Sequence, residues 1–327
     1  MTFDRRQFIQ ATAAVLAAGG AVVPAYAQTP DTARVVIGFA PGGTIDLAGR
    51  RIAEKLQPSF AKAVIVDNRT GAGGQIAAQG VKSAAPDGTA MLLTPTSPMS
   101  LHLFTYKKLP YDPVADFTPV SGAVMFDYSL AVGPLVPASV RSVKDFLAWC
   151  KANPAHANFG SAGQGSAAHF IGAALGRMGD ADLRHIAFRG SQPALADMIG
   201  GQIAAVVGPT GEFMPNVKAG KIRLLASSGP KRGKFTPDTP TMAEQGFKDL
   251  AYVGWFGFFV PARTPADVVQ RLNGGIRQAL AQQDVVDSLA TAYMEPLPTA
   301  PAQMAQMLKT ETEFWAGLVK TVGFSVE

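Results

Sequence analysis

Five short stretches hold the polar residues able to do chemistry. They are FAPGGT (39–44), TPTSP (94–98), FGSAGQGS (159–166), FRGSQ (188–192) and VGPTG (207–211). All are rich in Gly, Ser and Thr and poor in acids and bases. Such residues do not move protons; they present backbone N–H groups and hydroxyls. Gly42 and Gly43 allow a close backbone approach. A helix starting at Thr44 would add free N–H groups and a positive dipole end. Ser161, Gly163, Gly165 and Ser166 repeat that arrangement further along the chain. Two such turns facing one another suit an anion, a carboxylate in particular. The competing reading is that these glycines only make tight strand-to-helix turns.

The ionisable residues nearby each carry two readings. Asp46, one turn into the first helix, either caps backbone N–H groups or accepts from a ligand, and first-turn acids favour capping. Arg189 either pairs with an anion or makes an ordinary surface ion pair. His169 suits packing or hydrogen bonding better than catalysis. With His102, His156 and His185 it forms no metal-binding motif, and no metal is expected. No G-x-S-x-G elbow or Walker A lysine is present. GQGSAA (163–168) fits the weak dinucleotide pattern G-x-G-x-x-A, but no acid follows the next strand to hold a ribose. No cofactor is expected. Cys150, the single cysteine, excludes a disulfide within the chain and reads as a small half-buried side chain.

Alternating elements position these corners. RVVIGFA, KAVIVDNR and AMLLTPT read as strands separated by the helices TIDLAGRRIAEKLQPSF and GAGGQIAAQGVKSA. Past Pro110 the pattern loosens, and LPYDPVADFTPV reads as irregular. YSLAVG is a strand and SVKDFLAWCKAN a helix with Ser142 as N-cap and Asp145 three residues on. The alternation then restarts through HANFGSA, LRHIAFR, QIAAVVG and KIRLLASSG, with EFMPNVKAG a short helix between the last two. VGWFGFFVP is a strong strand. Two helices finish the chain, the first with Thr264 as N-cap and Pro265 at N1. The expected class is α/β, two doubly wound lobes with a cleft between them where the chain crosses twice. Ligands of open α/β sheets bind at the carboxyl ends of the strands, where the five corners lie.

The N-terminus reads as an export signal over residues 1–27: Arg5 and Arg6, the apolar run Ala11–Val23, and Ala25–Ala27 as an A-x-A site. The twin arginines favour the twin-arginine route. Cleavage near Ala27/Gln28 would place the mature protein in the periplasm. Loss of Asp4, Arg5 and Arg6 lowers the formal charge from +5 to about +4. The charges are scattered, and no basic block suggests nucleic acid.

The corners, in this order, resemble the substrate-binding receptors of tripartite tricarboxylate transporters, the TctC or Bug-like proteins. The similarity is carried by FAPGGTIDLAGRRIAEKL, NRTGAGGQI with PDG, ANFGSAGQGSAAHF, FRGSQPALADMIGGQI, PTMAEQGF and WFGFFVPARTPADVVQRLN. It implies a type II periplasmic binding protein fold with two hinge crossings. The expected lobes are residues 28–127 plus 251–327, and residues 128–250. It also implies a monomer that binds a small carboxylate without turnover and passes it to membrane transporter subunits.

The ligand-binding residues it implies are Phe39, Pro41, Gly42, Gly43, Thr44 and Asp46, with Thr96 and Ser97, in lobe one. In lobe two they are Ser161, Gly163, Gly165, Ser166, His169, Arg189, Gly190, Ser191 and Pro209. Two features depart from the family pattern. The corner after the sixth strand reads Phe188-Arg189-Gly190-Ser191, and VVGPTG places uncharged Gly208 and Pro209 where many members have an acid. With no acid there to meet an ammonium group, the expected ligand is a di- or tricarboxylate or an aromatic carboxylate lacking an amine. The alternative is a periplasmic enzyme on the same scaffold, acting on a carboxylate through Arg189, His169 and Asp46.

Overall fold

The computed structural model describes residues 29–322. The expected export segment, residues 1–27, lies outside the described residues. Strands β1 (Thr32–Ile37), β2 (Ala63–Asn68) and β3 (Ala90–Pro95) are parallel, in the order β2-β1-β3. They are linked by α1 (Thr44–Lys55) and α2 (Gln75–Lys82), and α1 buries the Ile45, Ala48 and Ile52 stripe that its 3.6-residue period predicts. The short helix α3 (His102–Thr105), strand β4 (Phe117–Val132) and helix α4 (Val143–Ala152) follow. A second alternating set runs β5 (Asn158–Ser161), α5 (Ala167–Met178), β6 (Arg184–Ala187), α6 (Ser191–Ile199), β7 (Ala205–Pro209), α7 (Thr210–Lys218) and β8 (Arg223–Ser227). The chain continues through β9 (Val253–Pro261), α8 (Ala266–Leu280), α9 (Gln283–Thr291), β10 (Glu295–Pro296) and α10 (Pro301–Val322).

Strand β4 belongs to both halves. Residues 117–127 pair antiparallel with β9, which pairs antiparallel with β3. Residues 128–132 pair instead with β7 and β8. The chain returns beside this point: Ser228 N–H donates to the Tyr128 carbonyl (2.8 Å), and Tyr252 N–H donates to the Ser228 carbonyl (2.7 Å). The two crossings therefore run side by side.

Several elements differ from expectation. Phe117–Val120 is strand rather than irregular chain. Pro119 disguised it, because proline disfavours central strands; it is tolerated where the β4–β9 register shifts. Thr264 is not the N-cap of α8. Pro265 holds that position, and the Thr264 hydroxyl donates to the Pro261 carbonyl (2.8 Å). Among the described residues three helices, not two, follow β9. Helix α7 begins at Thr210, a turn's beginning earlier than EFMPNVKAG suggests. The Ser142 cap is as expected: Ser142 Oγ accepts from Asp145 N–H (3.1 Å) and the Asp145 carboxylate accepts from Ser142 N–H (3.0 Å).

The C-terminal helix ties the crossings to both halves. Trp315 is fully buried against Phe170 of α5, Tyr252 and Phe314. Glu311, one turn earlier, is buried and accepts from Thr96, Tyr252 (2.8 Å), Trp255 and Trp315 (3.0 Å). Four donors around one carboxyl make a satisfied buried network.

Candidate ligand-binding cleft

The carboxyl ends of β1, β3, β5, β6 and β7 converge on one cavity between the halves. Its walls include Phe39, Ala40, Gly43, Thr44 and Ile45 from the first corner, and Pro95 and Ser97 from the second. Ala162, Ser166 and Ala168 come from the third, Gly190, Ser191 and Gln192 from the fourth, and Pro209 and Glu212 from the fifth. Tyr128 and Phe256 form the floor at the crossings. The cavity measures about 50 Å³, room for roughly a few water molecules.

The two halves meet directly around it. Ala40 N–H donates to the Arg189 carbonyl (3.2 Å). Gly163 faces Gly73 so closely that an added Cβ would sit 3.1 Å from the Gly73 Cα. Gly165, at φ +74°, presses on the Tyr106 ring, and the Tyr106 hydroxyl donates to the Gln164 carbonyl (3.0 Å). Gly163 and Gly165 thus let backbone approach across the cleft; neither lines the cavity.

Each facing helix is capped from the opposite half. Ser97 Oγ accepts from the Ala167 N–H at the start of α5 (2.9 Å). Glu212 Oε1 accepts from Thr44 N–H (3.1 Å) and Thr44 Oγ1 (2.9 Å) at the start of α1. Glu212 Oε2 is closed off from solvent, and the Ser191 and Gln192 side chains also bear on the carboxyl. Burial pushes this carboxyl above the usual Glu range, against the pull of Thr44, Ser191 and Gln192. The expectation that the fifth corner lacks an acid is therefore corrected. The acid stands at Glu212, in the first turn of α7, rather than at Gly208 or Pro209. No local signal marked it.

Other expected residues support the walls instead of forming them. Asp46 is buried and accepts from Gly42 N–H (3.0 Å), Asn68 Nδ2 (3.0 Å) and Arg50 Nε (2.9 Å). Burial opposes its charge, but Arg50, Gly42 and Asn68 together hold it below the usual Asp range. Gly42 has φ +87° and is exposed, as is Pro41. Thr96 is turned to Glu311 and Tyr252. Ser161 bonds His185 Nε2 (2.8 Å). His169 Nδ1 accepts from Gly165 N–H (3.1 Å), and its ring stacks on His185 at 3.6 Å. Burial lowers both histidines, to about 3 for His169 and about 4 for His185, so both are neutral at pH 7. Arg189 is exposed and does not line the cavity. Eight expected residues do line it: Phe39, Gly43, Thr44, Ser97, Ser166, Gly190, Ser191 and Pro209. Sequence reading missed Tyr128, Phe256, Ala162, Ala168 and Gln192, whose types carry no signal of their own.

The sequence profile of the tripartite tricarboxylate transporter family receptor, TctC, matches residues 48–324. The chain belongs to that receptor family. A relative of this receptor, protein BugT of Bordetella pertussis, is 30% identical over 311 residues, covering 94% of this chain and 95% of BugT. The fold of the present chain is similar to that of the periplasmic binding protein BugD, with a TM-score of 0.84, 29% identity, and coverage of 90% of this chain and 98% of BugD. The Rhodopseudomonas palustris protein Rpa4515, solved with adipate, gives 0.84 at 28% identity, over 89% of this chain and 97% of its own. MatC of the same organism, solved with bound malate, gives 0.81 at 29% identity, over 88% and 98%. The expected type II periplasmic binding fold is thus the fold of this receptor, and the crossings at Tyr128 and Ser228 are where its halves are joined.

Proposed function

We propose that this receptor holds a small carboxylate in the cavity between its halves and releases it unchanged to membrane transporter subunits. The carrying observation is the Thr44–Glu212 contact. The start of α1, with its N–H and hydroxyl, already grips a carboxylate oxygen, which is the chemistry expected of a helix N-terminus. The starts of α5 and α6 border the same cavity. The adipate and malate bound by the neighbours support the same ligand class. In this reading residues 28–127 plus 251–327 form one lobe and residues 128–250 the other. The lobes close on the ligand, and Phe39, Gly43, Thr44, Ser97, Ser166, Gly190, Ser191 and Pro209 contact it. Asp46, His169 and Glu311 hold the walls in place. The same reading has the protein exported through residues 1–27 and working as a monomer in the periplasm.

A thermal-shift screen of purified protein against linear, branched and aromatic carboxylates tests this reading, because a ligand that binds the folded state raises the melting temperature. At least one acid should raise it, and mass spectrometry should recover that acid chemically intact. If no acid shifts the melting temperature, or the acid is converted, the receptor reading is wrong.

A further inference from the structure

Three tyrosines among the described residues are buried: Tyr111, Tyr128 and Tyr252. A buried tyrosine ordinarily finds a hydrogen-bond partner for its hydroxyl. Tyr111 donates to the Pro98 carbonyl (2.9 Å) and Tyr252 to the Glu311 carboxylate (2.8 Å). Tyr128 breaks the pattern. No described protein group hydrogen-bonds its hydroxyl, although the residue is only 6% exposed. The hydroxyl oxygen is not sealed off, and the space that Tyr128 borders is the cavity between the halves. The side chain is also fixed in place. Its ring stacks on Tyr252 (5.9 Å between centroids), and Phe126 meets it edge-on (5.3 Å). Gly254 lies so close that an added Cβ would sit 2.6 Å from the Tyr128 Cε2. Ser228 holds the backbone, its Oγ accepting from Tyr128 N–H (3.0 Å). A rigid phenol therefore stands at a floor whose neighbours Phe256, Pro95 and Phe39 are apolar.

The chemistry of a matching ligand group follows. Burial and the charges of Glu311 and Glu212 hold the phenol above its ordinary range, so it keeps its proton and can donate. None of the residues lining the cavity is Lys, Arg or His, so a second carboxylate at this floor would meet those like charges with no cation beside it. An uncharged oxygen accepts from the phenol without that repulsion. We propose that Tyr128 makes this cleft select carboxylates that carry an uncharged oxygen, a hydroxyl or oxo group, away from the bound carboxylate. This rests on the carboxylate reading above and narrows it. The ligand's carboxylate lies at the helix starts near Ser166 and Ser191, and Tyr128 donates to the further oxygen. An acid with a methylene there closes over the phenol and leaves it unpaired, a mismatch that costs affinity.

Pairs differing by one oxygen test it: 3-hydroxybutyrate and butyrate, malate and succinate, 2-oxoglutarate and glutarate, 4-hydroxybenzoate and benzoate. Each acid is titrated calorimetrically at pH 7.5 into wild-type protein and the Tyr128→Phe variant, which keeps the ring and its stacking. In at least one pair that binds, the oxygenated acid should bind wild-type protein about tenfold tighter or more, the scale of one buried hydrogen bond. In Tyr128→Phe that preference should fall below about threefold, with the oxygen-free acid bound no more weakly than before. Without ligand the variant should melt no lower than wild type, since no protein partner of the hydroxyl is lost. Wild-type protein binding the oxygen-free acid equally well or better in every pair that binds overturns the proposal, whatever the variant does. So does a variant that keeps the full preference, or one that melts clearly lower without ligand. If no acid of any pair binds, the carboxylate reading itself falls, an outcome distinct from loss of oxygen selectivity.

Discussion

Thr44 and Glu212, from opposite sides of the cleft, are joined through one carboxylate oxygen that takes both the backbone N–H (3.1 Å) and the hydroxyl (2.9 Å) of the threonine. This contact is at once a helix cap, a clasp between the halves and a titratable group inside the ligand cavity. Its protonation should therefore govern stability and closure together.

The folded protein holds the Glu212 carboxyl above its ordinary range, with Tyr128 the other titratable group facing it. A raised acid binds more protons in the folded state than in the unfolded one. Its contribution is therefore most favourable below the ordinary Glu pKa and is lost as pH rises through the raised value. Glu212→Gln should thus be more stable than wild type at pH 8, by about 1–3 kcal/mol, with the gain shrinking towards pH 4. Urea unfolding at the two pH values checks this. An unchanged difference would show that the carboxyl is not buried in charged form.

Asp127 lies at the crossing, against the backbone of Gly229 and Gly233 and near Glu295. Burial, then the charge of Glu295, pushes it up to about 6. By the same sign, its burden on stability grows as pH rises from about 4 to about 6 and is complete above that. Asp127→Asn should raise the melting temperature at pH 7.5 by a few degrees, roughly the effect of 1–2 kcal/mol, and leave it unchanged near pH 4.

His102, His169 and His185 are all held neutral by burial, His102 at about 3 against the opposing pull of the Gly165 backbone. A lowered base is stable while neutral. Stability is lost as pH falls from the ordinary His value near 6.5 towards the folded values. Two-dimensional NMR of the imidazoles should show these three rings not titrating between pH 5.5 and 8, while melting temperature drops below pH 6.

Glu311 gathers donors from Thr96, Tyr252, Trp255 and Trp315 on separate segments. Glu311→Gln points an amide N–H₂ at some of those donors and leaves them unpaired. A loss of about 3 kcal/mol or more follows from breaking such a buried network. It should appear as a lower urea midpoint and altered tryptophan fluorescence. A near-neutral change would mean the network is looser than its geometry.

Much of this was legible in the chain. The strand–helix alternation gave the parallel sets, and the Ser142–Asp145 cap was readable from spacing because its partners are local. The corners were found because glycine and serine mark strand-to-helix turns. What escaped depends on distance. Pro119 hid part of β4, since a strand tolerates proline only where register shifts, and register is not local. Glu212, the first residue of EFMPNVKAG, carried no signal of its own; only folding brings it 168 residues back to Thr44. Gly163 and Gly165 read as ligand turns but serve contacts with Gly73 and Tyr106, partners that no local pattern could name.

The most direct test is a crystal structure of the protein with the acid that stabilises it most. That acid should lie between the halves, bounded by Thr44, Ser166, Ser191 and Glu212, with its carboxylate on helix N-terminal amides. Density for the acid elsewhere, for instance in the larger cavity beside Asp127 and Lys234, with the cleft unchanged, contradicts it.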